Sequence, residues 1–585
     1  MPWATELAIV QLDSVTLAVV WNSLVMVASE MDLAQEKTSF SPIISEAMDR
    51  ANGIYAAHNG ELIVQGARGL PLFVGVMQST VGHVIERQAA RGAQMKPGDV
   101  IIINDPYLGG THLMDVRLVK PFFYRGRLWA WLANSAHWAD IGGSVAGGFS
   151  SDTWEVHQEG LRLPPIRIAR EGRLDEDLLA VILANCRVPQ ERVGDFKAQM
   201  AALNVGERRL TVLLDRYGVD VVEAVIAEVR ERAEKQMRAQ IELLPDGKYS
   251  FEAPMDSDGI GNEPLWVRLD LEVRGSDLHL DFSRSSPPCR GPMNTPFAST
   301  KSAVYIGVRH VFPDVPLNAG GFEPIHIKEA KGTFLHAEYP KPVAGAAAEC
   351  SQRVVETVLG ALGRALPARA YAGPFGTAGN FSLGGYDPKH ERHFVMYYFS
   401  GGGYGGYWSG DGHTNACATI AFTQTQPFEV LESHYPVLFE HAALREGSAG
   451  AGQFRGGWGI QYRVKLRRGE AAAAFMMDHG RFPPYALEGG RTGAMTEIRV
   501  SQGGQVTSPP HISKGTGYTL APGDWVDVKT PGGGGWGDPR MRDRDRVGRD
   551  VRRGYITPEV AAQVYGYDEP ATAPGAPSDE PAKIS

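Results

Sequence analysis

Glycine sets the tightest constraint on this chain. It supplies 69 of the 585 residues, well above the ~7% usage of an average protein. The residues fall in short separated blocks, such as Gly401-Gly402-Gly403-Tyr404-Gly405-Gly406 and Gly532-Gly533-Gly534-Gly535, with no fixed period. Glycine weakens helix and strand interiors, so such blocks mark tight turns or places where backbone must come very close to something. That something is either a ligand or another strand, and spacing alone does not choose between them.

Length then asks for several packed units, because single cores rarely extend beyond ~250–300 residues. The 43% hydrophobic and 21% charged content is that of a soluble globular protein. The net charge of −9 comes with no dense Lys/Arg stripe before the tail, so no nucleic-acid partner is indicated. Cys186, Cys289, Cys350 and Cys417 form no CxxC pair and are too scattered for a disulfide framework or a zinc knot. The N-terminus lacks the basic, apolar and small-residue series of a secretion signal. The apolar stretch Leu17–Val27 is broken by Asn22 and Ser23, short of the ~20 residues that span a bilayer. A reducing, cytoplasmic setting with no membrane is the resulting expectation.

Apolar periodicity predicts a helical segment over 14–50 and a hairpin of 53–57 and 61–65 around His58-Asn59-Gly60. A helix over 74–91, a buried strand over 100–103 and paired strands over 116–123 and 127–133 follow. Residues 172–240 read as helical. Strands are expected over 265–273 and 277–282, a helix over 351–366, and glycine-punctuated β structure from about 370. The fold class is α+β and multi-domain. Four sectors are expected: a helical and β N-terminal region (1–245) carrying the metal-binding site, a mixed middle domain (246–370), a glycine-rich β domain (371–545), and a tail (546–585), charged at first and then disordered.

The chemistry-bearing residues concentrate between Asn104 and Gly143. Two His-x-x-Asp pairs occur there, His112/Asp115 and His137/Asp140, separated by the two predicted strands. Both pairs can therefore sit at one end of a hairpin. Imidazole nitrogen with carboxylate oxygen suits Zn²⁺, Mn²⁺ or Fe²⁺. On residues alone three readings stay open: a metal site, local structural hydrogen bonding, or acid–base catalysis without metal. Secondary candidates are Asp49 at a helix end, His157 and Glu159 as groups orienting a ligand, Asp411-Gly412-His413 as a pocket wall, and Ser351-Gln352-Arg353 as an anion site at a helix N-terminus. No GxGxxG opening of a βαβ unit and no GxxxxGK[ST] sequence occurs. If nucleotide chemistry is involved, another chain carries it.

The run Asn104-Asp105-Pro106-Tyr107-Leu108-Gly109-Gly110-Thr111-His112-Leu113-Met114-Asp115, followed by Ala136-His137-Trp138-Ala139-Asp140-Ile141-Gly142-Gly143, resembles the hydantoinase B/oxoprolinase family. Further matching runs are Gln158-Glu159-Gly160-Leu161, Glu349-Cys350-Ser351-Gln352-Arg353, Phe454-Arg455-Gly456-Gly457-Trp458-Gly459 and Thr530-Pro531-Gly532-Gly533-Gly534-Gly535-Trp536-Gly537-Asp538-Pro539, in the family's order. The resemblance implies a divalent metal on Asp49, His112, Asp115 and His137, with Asp140 a fifth candidate. It implies a hetero-oligomer with a hydantoinase A-type subunit that binds ATP and Mg²⁺ and phosphorylates a small carbonyl substrate.

The expected mechanism is hydrolysis of a phosphorylated hydantoin or lactam. Asp115 and His137 would act at the metal and Asp140 would take the proton. Three alternatives stand beside it: carboxylation of a ketone-derived enol phosphate, as the resemblance to acetone and acetophenone carboxylases implies; a non-catalytic scaffold with a structural metal; and a stand-alone hydrolase. The chain departs from the family pattern at Phe73, where a histidine is frequent, at Glu323, where an arginine is, and at Trp138, where a second histidine is.

Overall fold

A computed structural model of the chain describes residues 12–92 and 94–568. It has mixed helix and sheet and four separate sheets, the α+β arrangement expected. The first helix, α1 (Ser14–Thr38), starts where the Asp13 carboxylate accepts the Val15 and Thr16 amides at 2.9 Å each. Leu17, Val20, Leu24, Val27 and Met31 recur at helical spacing and face the core. By length and hydropathy alone α1 is long and apolar enough to cross a membrane, a test that the core helix of a globular protein also passes. Its C-terminal half, however, buries Asp32, Gln35 and Glu36.

Those buried polar groups meet the first sheet. Its strands are β1 (Arg50–Ala56), β2 (Leu62–Gln65), β3 (Val100–Ile103), β4 (Asp115–Tyr124), β5 (Arg127–His137), β6 (Ile166–Arg170) and β7 (Arg173–Leu174), in the spatial order β2-β1-β5-β4-β3-β6-β7. Every pairing in it is antiparallel. The β1–β2 turn uses Gly60 at φ +77°. The β4–β5 turn places Arg125 (φ +49°) and Gly126 (φ +82°) in the left-handed region, the geometry that matches strand twist in two-residue hairpins. The guanidinium of Arg50, fully buried, hydrogen-bonds Glu36 at 2.5 Å and forms an ion pair with Asp32 at 3.1 Å, locking the start of β1 to α1.

Helix α2 (Phe73–Ala90) follows the hairpin. The expected helical stretch after residue 172 is three helices: α3 (Glu176–Ala184), α4 (Pro189–Tyr217) and α5 (Val219–Ile241). A second sheet, β8 (Gly247–Met255), β9 (Leu265–Arg274), β10 (Asp277–Asp281) and β11 (Ile325–Ile327), packs on α7 (Ser351–Ala365), with α6 (Phe297–Val311) between β10 and β11 in the chain. One continuous apolar core joins these elements.

The glycine-rich part contributes two more sheets. One is β13-β12-β16-β19, formed by β12 (Asn380–Asp387), β13 (Arg392–Tyr398), β16 (Glu470–Met476) and β19 (Lys514–Leu520). The other is β14-β15-β20-β17-β18, formed by β14 (Val437–Leu444), β15 (Ile460–Leu466), β17 (Glu497–Gln502), β18 (Gln505–Thr507) and β20 (Trp525–Lys529). A second core lies between them. The charged tail forms two short helices, Arg544–Arg552 and Pro558–Tyr565; the stretch 571–585, expected to be disordered, lies outside the described residues.

The glycine blocks belong to neither sheet. Segments 401–406, 450–459 and 530–537 run side by side with their backbones in direct contact. The Gly403 amide bonds the Pro531 carbonyl (3.1 Å), Gly457 bonds Tyr404 (2.8 Å), Gly533 bonds Gly457 (3.1 Å) and Gly534 bonds Gly373 (2.8 Å). A Cβ added at Gly403, Gly457 or Gly533 would overlap the carbonyl oxygen of Gly457, His413 or Tyr404, respectively. The close approach anticipated from composition is therefore to other backbone. Gly533→Ala should destabilise the protein by roughly 3 kcal/mol or more, because backbone has to move. Gly447→Ala, at φ +67° with open space around it, should cost only about 1 kcal/mol of left-handed strain. Thermal unfolding of the two variants side by side checks the contrast.

Candidate metal centre

Three neighbouring strands deliver the candidate ligands. Asp115 is the first residue of β4 and His137 the last of β5, and the two are direct register partners. Asp49 immediately precedes β1, which pairs with the other side of β5, and its carbonyl accepts the His137 amide at 3.1 Å. His112 reaches back from the Gly109-Gly110 loop just before β4. The four side chains thus come together at one end of the sheet, all buried.

His112 Nε2 lies 3.5 Å from Asp115 Oδ2; His137 Nδ1 lies 3.5 Å from Asp115 Oδ1 and 3.8 Å from Asp49 Oδ2. These separations are long for hydrogen bonds. Donors each ~2.1 Å from one tetrahedral ion would stand ~3.4 Å apart, so the set fits a shared divalent cation. One ligand atom from each of His112, Asp115 and His137 falls within 4.8 Å of the others. Thr111 Oγ also donates to Asp115 Oδ2.

Electrostatics agree with metal-ready donors. Burial pushes His112 down to about 4, leaving a neutral imidazole with a free lone pair. Burial, with Asp115 adding repulsion and His137 opposing, pushes Asp49 up to about 7. Burial also works against the Asp115 carboxylate, but His112, His137 and Thr111 more than offset it and hold its carboxyl below the usual range.

Aromatic rings orient the two imidazoles. His137 stacks on Tyr397 (4.6 Å between centroids, 25° between planes), and Phe149 stacks on Tyr397 at 4.9 Å. His112 meets Phe149 edge-on at 5.4 Å. The Tyr397 hydroxyl donates to Asn380 Oδ1, and Asn380 Nδ2 donates to Glu349 Oε1 at 3.0 Å. Sequence reasoning missed Phe149 and Tyr397. Tyr397 stands 260 residues from His137 along the chain, and no local spacing marks either residue.

The other candidates fall elsewhere. Asp140 is not brought to the cluster: three residues past the end of β5, its carboxylate accepts the Val188 amide (3.2 Å) and the Arg187 amide where α4 begins, together with the Arg187 guanidinium (3.2 Å). The expected proton-transfer role is corrected accordingly. His157 bonds the Tyr339 hydroxyl (3.0 Å). Glu159 clamps the Val343 and Ala344 amides at 2.9 Å, and burial pushes its carboxyl up to about 8. Neither touches a cluster histidine. Arg353 is spent on Glu356, His479 and Asp478 (2.8 Å to Asp478), and Asp411 on Arg542 (2.7 Å), so neither segment is an anion site or pocket wall. Trp138 donates to Gln199 (3.0 Å), away from the cluster, and Glu323 pairs with Arg230 at the surface.

The cluster opens on a cavity of about 310 Å³. Asp49, His112, Asp115 and His137 form one wall. Leu70, Leu72 and Phe73 form another, and Tyr397–Gly401 with residues 415–425 close it. Mixed nitrogen and oxygen donors beside open space are the arrangement of a catalytic rather than a structural ion.

Fold and site together define a multi-sheet α+β protein with a buried His/Asp cluster facing a small cavity. The chain belongs to the hydantoinase B/oxoprolinase family, whose model matches residues 13–539. It is 33% identical to the caprolactamase beta chain of Pseudomonas jessenii over 95% of this chain and 96% of that protein. It is 30% identical to the B-type component of a putative D-/L-hydantoinase from a Pseudomonas species over 95% of each. The crystal structure of the ATP-dependent caprolactamase from Pseudomonas jessenii superposes with a TM-score of 0.86 at 31% identity, covering 96% of this chain and 97% of that one. A nucleotide-free acetone carboxylase shares the fold, with a TM-score of 0.87 at 17% identity over 96% of this chain and 80% of the other.

Metal binding should be pH-dependent with a definite sign. A proton on Asp49, whose carboxyl burial pushes up to about 7, would compete with a cation placed on the cluster, so affinity should strengthen as pH rises toward 7 and then level off. His112 stays neutral above pH 5 and adds no slope. Calorimetric titration of Zn²⁺ or Mn²⁺ into metal-free protein at pH 5.5, 6.5 and 8 reads this directly.

Proposed function

We propose that this chain is the metal-holding subunit of an ATP-dependent enzyme that hydrolyses a small cyclic amide. The observation that carries the reading is the convergence of Asp49, His112, Asp115 and His137 on the wall of a cavity sized for one small ring. A divalent ion held by these four, Zn²⁺, Mn²⁺ or Fe²⁺, would polarise a carbonyl or lower the pKa of bound water. The chain's own part is to hold the donors rigid through Phe149 and Tyr397, to keep bulk water out with apolar walls, and to orient the ring. Tyr397, Ser400 and Asn415 supply hydrogen-bonding groups among the lining residues.

An unactivated amide resists hydrolysis, and this chain carries no nucleotide-binding motif. We therefore assign ATP, with Mg²⁺, to a hydantoinase A-type partner that phosphorylates the carbonyl. The two-subunit naming of the caprolactamase and hydantoinase relatives and the ATP dependence of the caprolactamase support this. Ketone carboxylation is the second reading. The apolar wall around Phe73 favours it, since an enol phosphate must be kept from water, but the acetone carboxylase likeness shows the fold alone.

Co-expression with a hydantoinase A-type subunit, metal analysis and a screen of ATP turnover test the proposal. ATP hydrolysis should depend on a cyclic amide and not on a ketone with bicarbonate; the reverse result selects carboxylation. Turnover by the purified chain without ATP would remove the partner. His112→Ala should reduce bound metal and turnover at least ~100-fold while the circular dichroism spectrum stays that of the parent. Unfolding on metal loss would instead assign the ion a structural role.

A further inference from the structure

A second cavity, of about 660 Å³, lies between α1, α6 and the strap that closes the metal-facing space. Cys417 and Ala421 line both cavities, so the two adjoin across that strap. The walls of the second are aromatic: Trp21, Tyr305, Phe322, Tyr371, Tyr404 and Phe422 all contribute. The Tyr305 and Phe322 rings stack with 4.1 Å between centroids and 12° between planes. No Asp or Glu is among the lining residues. Apart from the tyrosines and Cys417, the ionisable groups are Arg309 and His310, consecutive in the last turn of α6.

Arg309 is the unusual member. A guanidinium carries several N–H donors in a planar fork. This one, partly buried, donates to the carbonyls of Val315 and Pro313, the latter at 3.4 Å. Burial lowers its pKa from the usual range, and no acidic neighbour opposes the shift. Glu323, next in the chain to the lining Phe322, is tied to Arg230. A cation withdrawn from water is ordinarily matched by an anion, and the protein supplies none here among the described residues. His310 adds no second charge. Its Nδ1 donates to the Ile306 carbonyl at 2.9 Å, and burial lowers its pKa, so the ring is neutral near neutral pH. Two further polar atoms line the space, Gln65 Oε1 and Thr419 Oγ1, both buried and without a hydrogen-bond partner among the described residues. The cavity thus offers one cation, one acceptor and one donor within aromatic walls.

We propose that this cavity is a ligand site separate from the metal centre, and that it takes a small organic carboxylate with a planar ring, the carboxylate on Arg309 and the ring among Trp21, Tyr305 and Phe422. A guanidinium fork matches a carboxylate with two parallel N–H···O bonds. Aromatic walls accept a planar ring by stacking or edge contact. The volume lies inside the range of small-molecule sites. The assignment does not depend on the amide-hydrolysis reading.

Ligand-observed NMR titration of the full-length, chelator-treated chain with benzoate, benzamide and acetate tests the site. Benzoate should bind at least ~10-fold more tightly than benzamide, which has the same shape without the charge. It should exceed acetate, which lacks the ring, by a similar ~10-fold. Arg309→Met should lower benzoate affinity at least ~10-fold and leave benzamide within about 2-fold. Phe422 is 60% exposed, so Phe422→Ala is a change the fold tolerates. It should weaken benzoate and benzamide alike, by ~3–10-fold.

No benzoate binding, equal affinity for benzoate and benzamide, or a benzoate preference that survives in Arg309→Met each overturns the proposal. If Arg309→Met does not fold, Phe422→Ala decides, and unchanged benzoate affinity in that variant overturns it too. None of these failures touches the metal centre, whose affinity is read separately.

Discussion

The antiparallel register between β4 and β5 is the constraint from which the site follows. Side chains alternate faces along a strand, so a one-residue slip would send Asp115 and His137 to opposite sides of the sheet. The two-residue turn at Arg125-Gly126 starts the ladder, a bulge at Phe122/Phe123 adjusts it, and Asp115 ends opposite His137. The third strand is fixed by a different device. Arg50 is buried between Asp32 and Glu36, and a buried charge deprived of its partner typically costs about 3–5 kcal/mol. The preceding residue, Asp49, therefore cannot drift from His137.

The far side of the cavity is built by elements with almost no sequence proximity to the ligands. The glycine segments pack backbone on backbone and hold residues 400–401 and the 415–425 strap against the first sheet; Gly401 has the Asn415 side chain where its own would be. Helix α7 and the third sheet are joined by a buried network in which Arg353 bonds Asp478 (2.8 Å), Glu356 and His479, and Lys514 lies 3.4 Å from Asp478. The irregular turn before α7 supplies Ala347 and Ala348 to the cavity, and the same turn carries Glu349, which anchors Asn380 and through it Tyr397. Rigid donors and a dry wall thus come from one set of buried contacts.

Much of the secondary structure was legible because periodicity was clean. The strand at 100–103 was expected with its observed bounds, the helices beginning at 73 and 351 came within a residue, and the hairpin over 115–137 was expected slightly short. The four-residue cluster was only partly legible. Two His-x-x-Asp pairs looked equivalent along the chain, yet one aspartate faces the cluster and the other, Asp140, caps the approach to α4. Spacing is the same for both; the difference is that Asp115 lies inside the ladder and Asp140 beyond its end, where free amides of Arg187 and Val188 compete for it. Asp49 entered the set through family resemblance, since nothing in its own neighbourhood distinguishes it from a capping carboxylate.

The sequence by itself determined the local elements, the residue types able to hold a divalent ion, and the need for extreme backbone proximity in the glycine blocks, because these follow from side-chain chemistry and from periods of 2 and 3.6. Tertiary structure alone decided that β1, β5 and β4 are neighbours, that Phe149 and Tyr397 brace the histidines, and that the glycine blocks pack against other backbone. Those outcomes depend on which distant segments share space, and no local pattern in a chain records that.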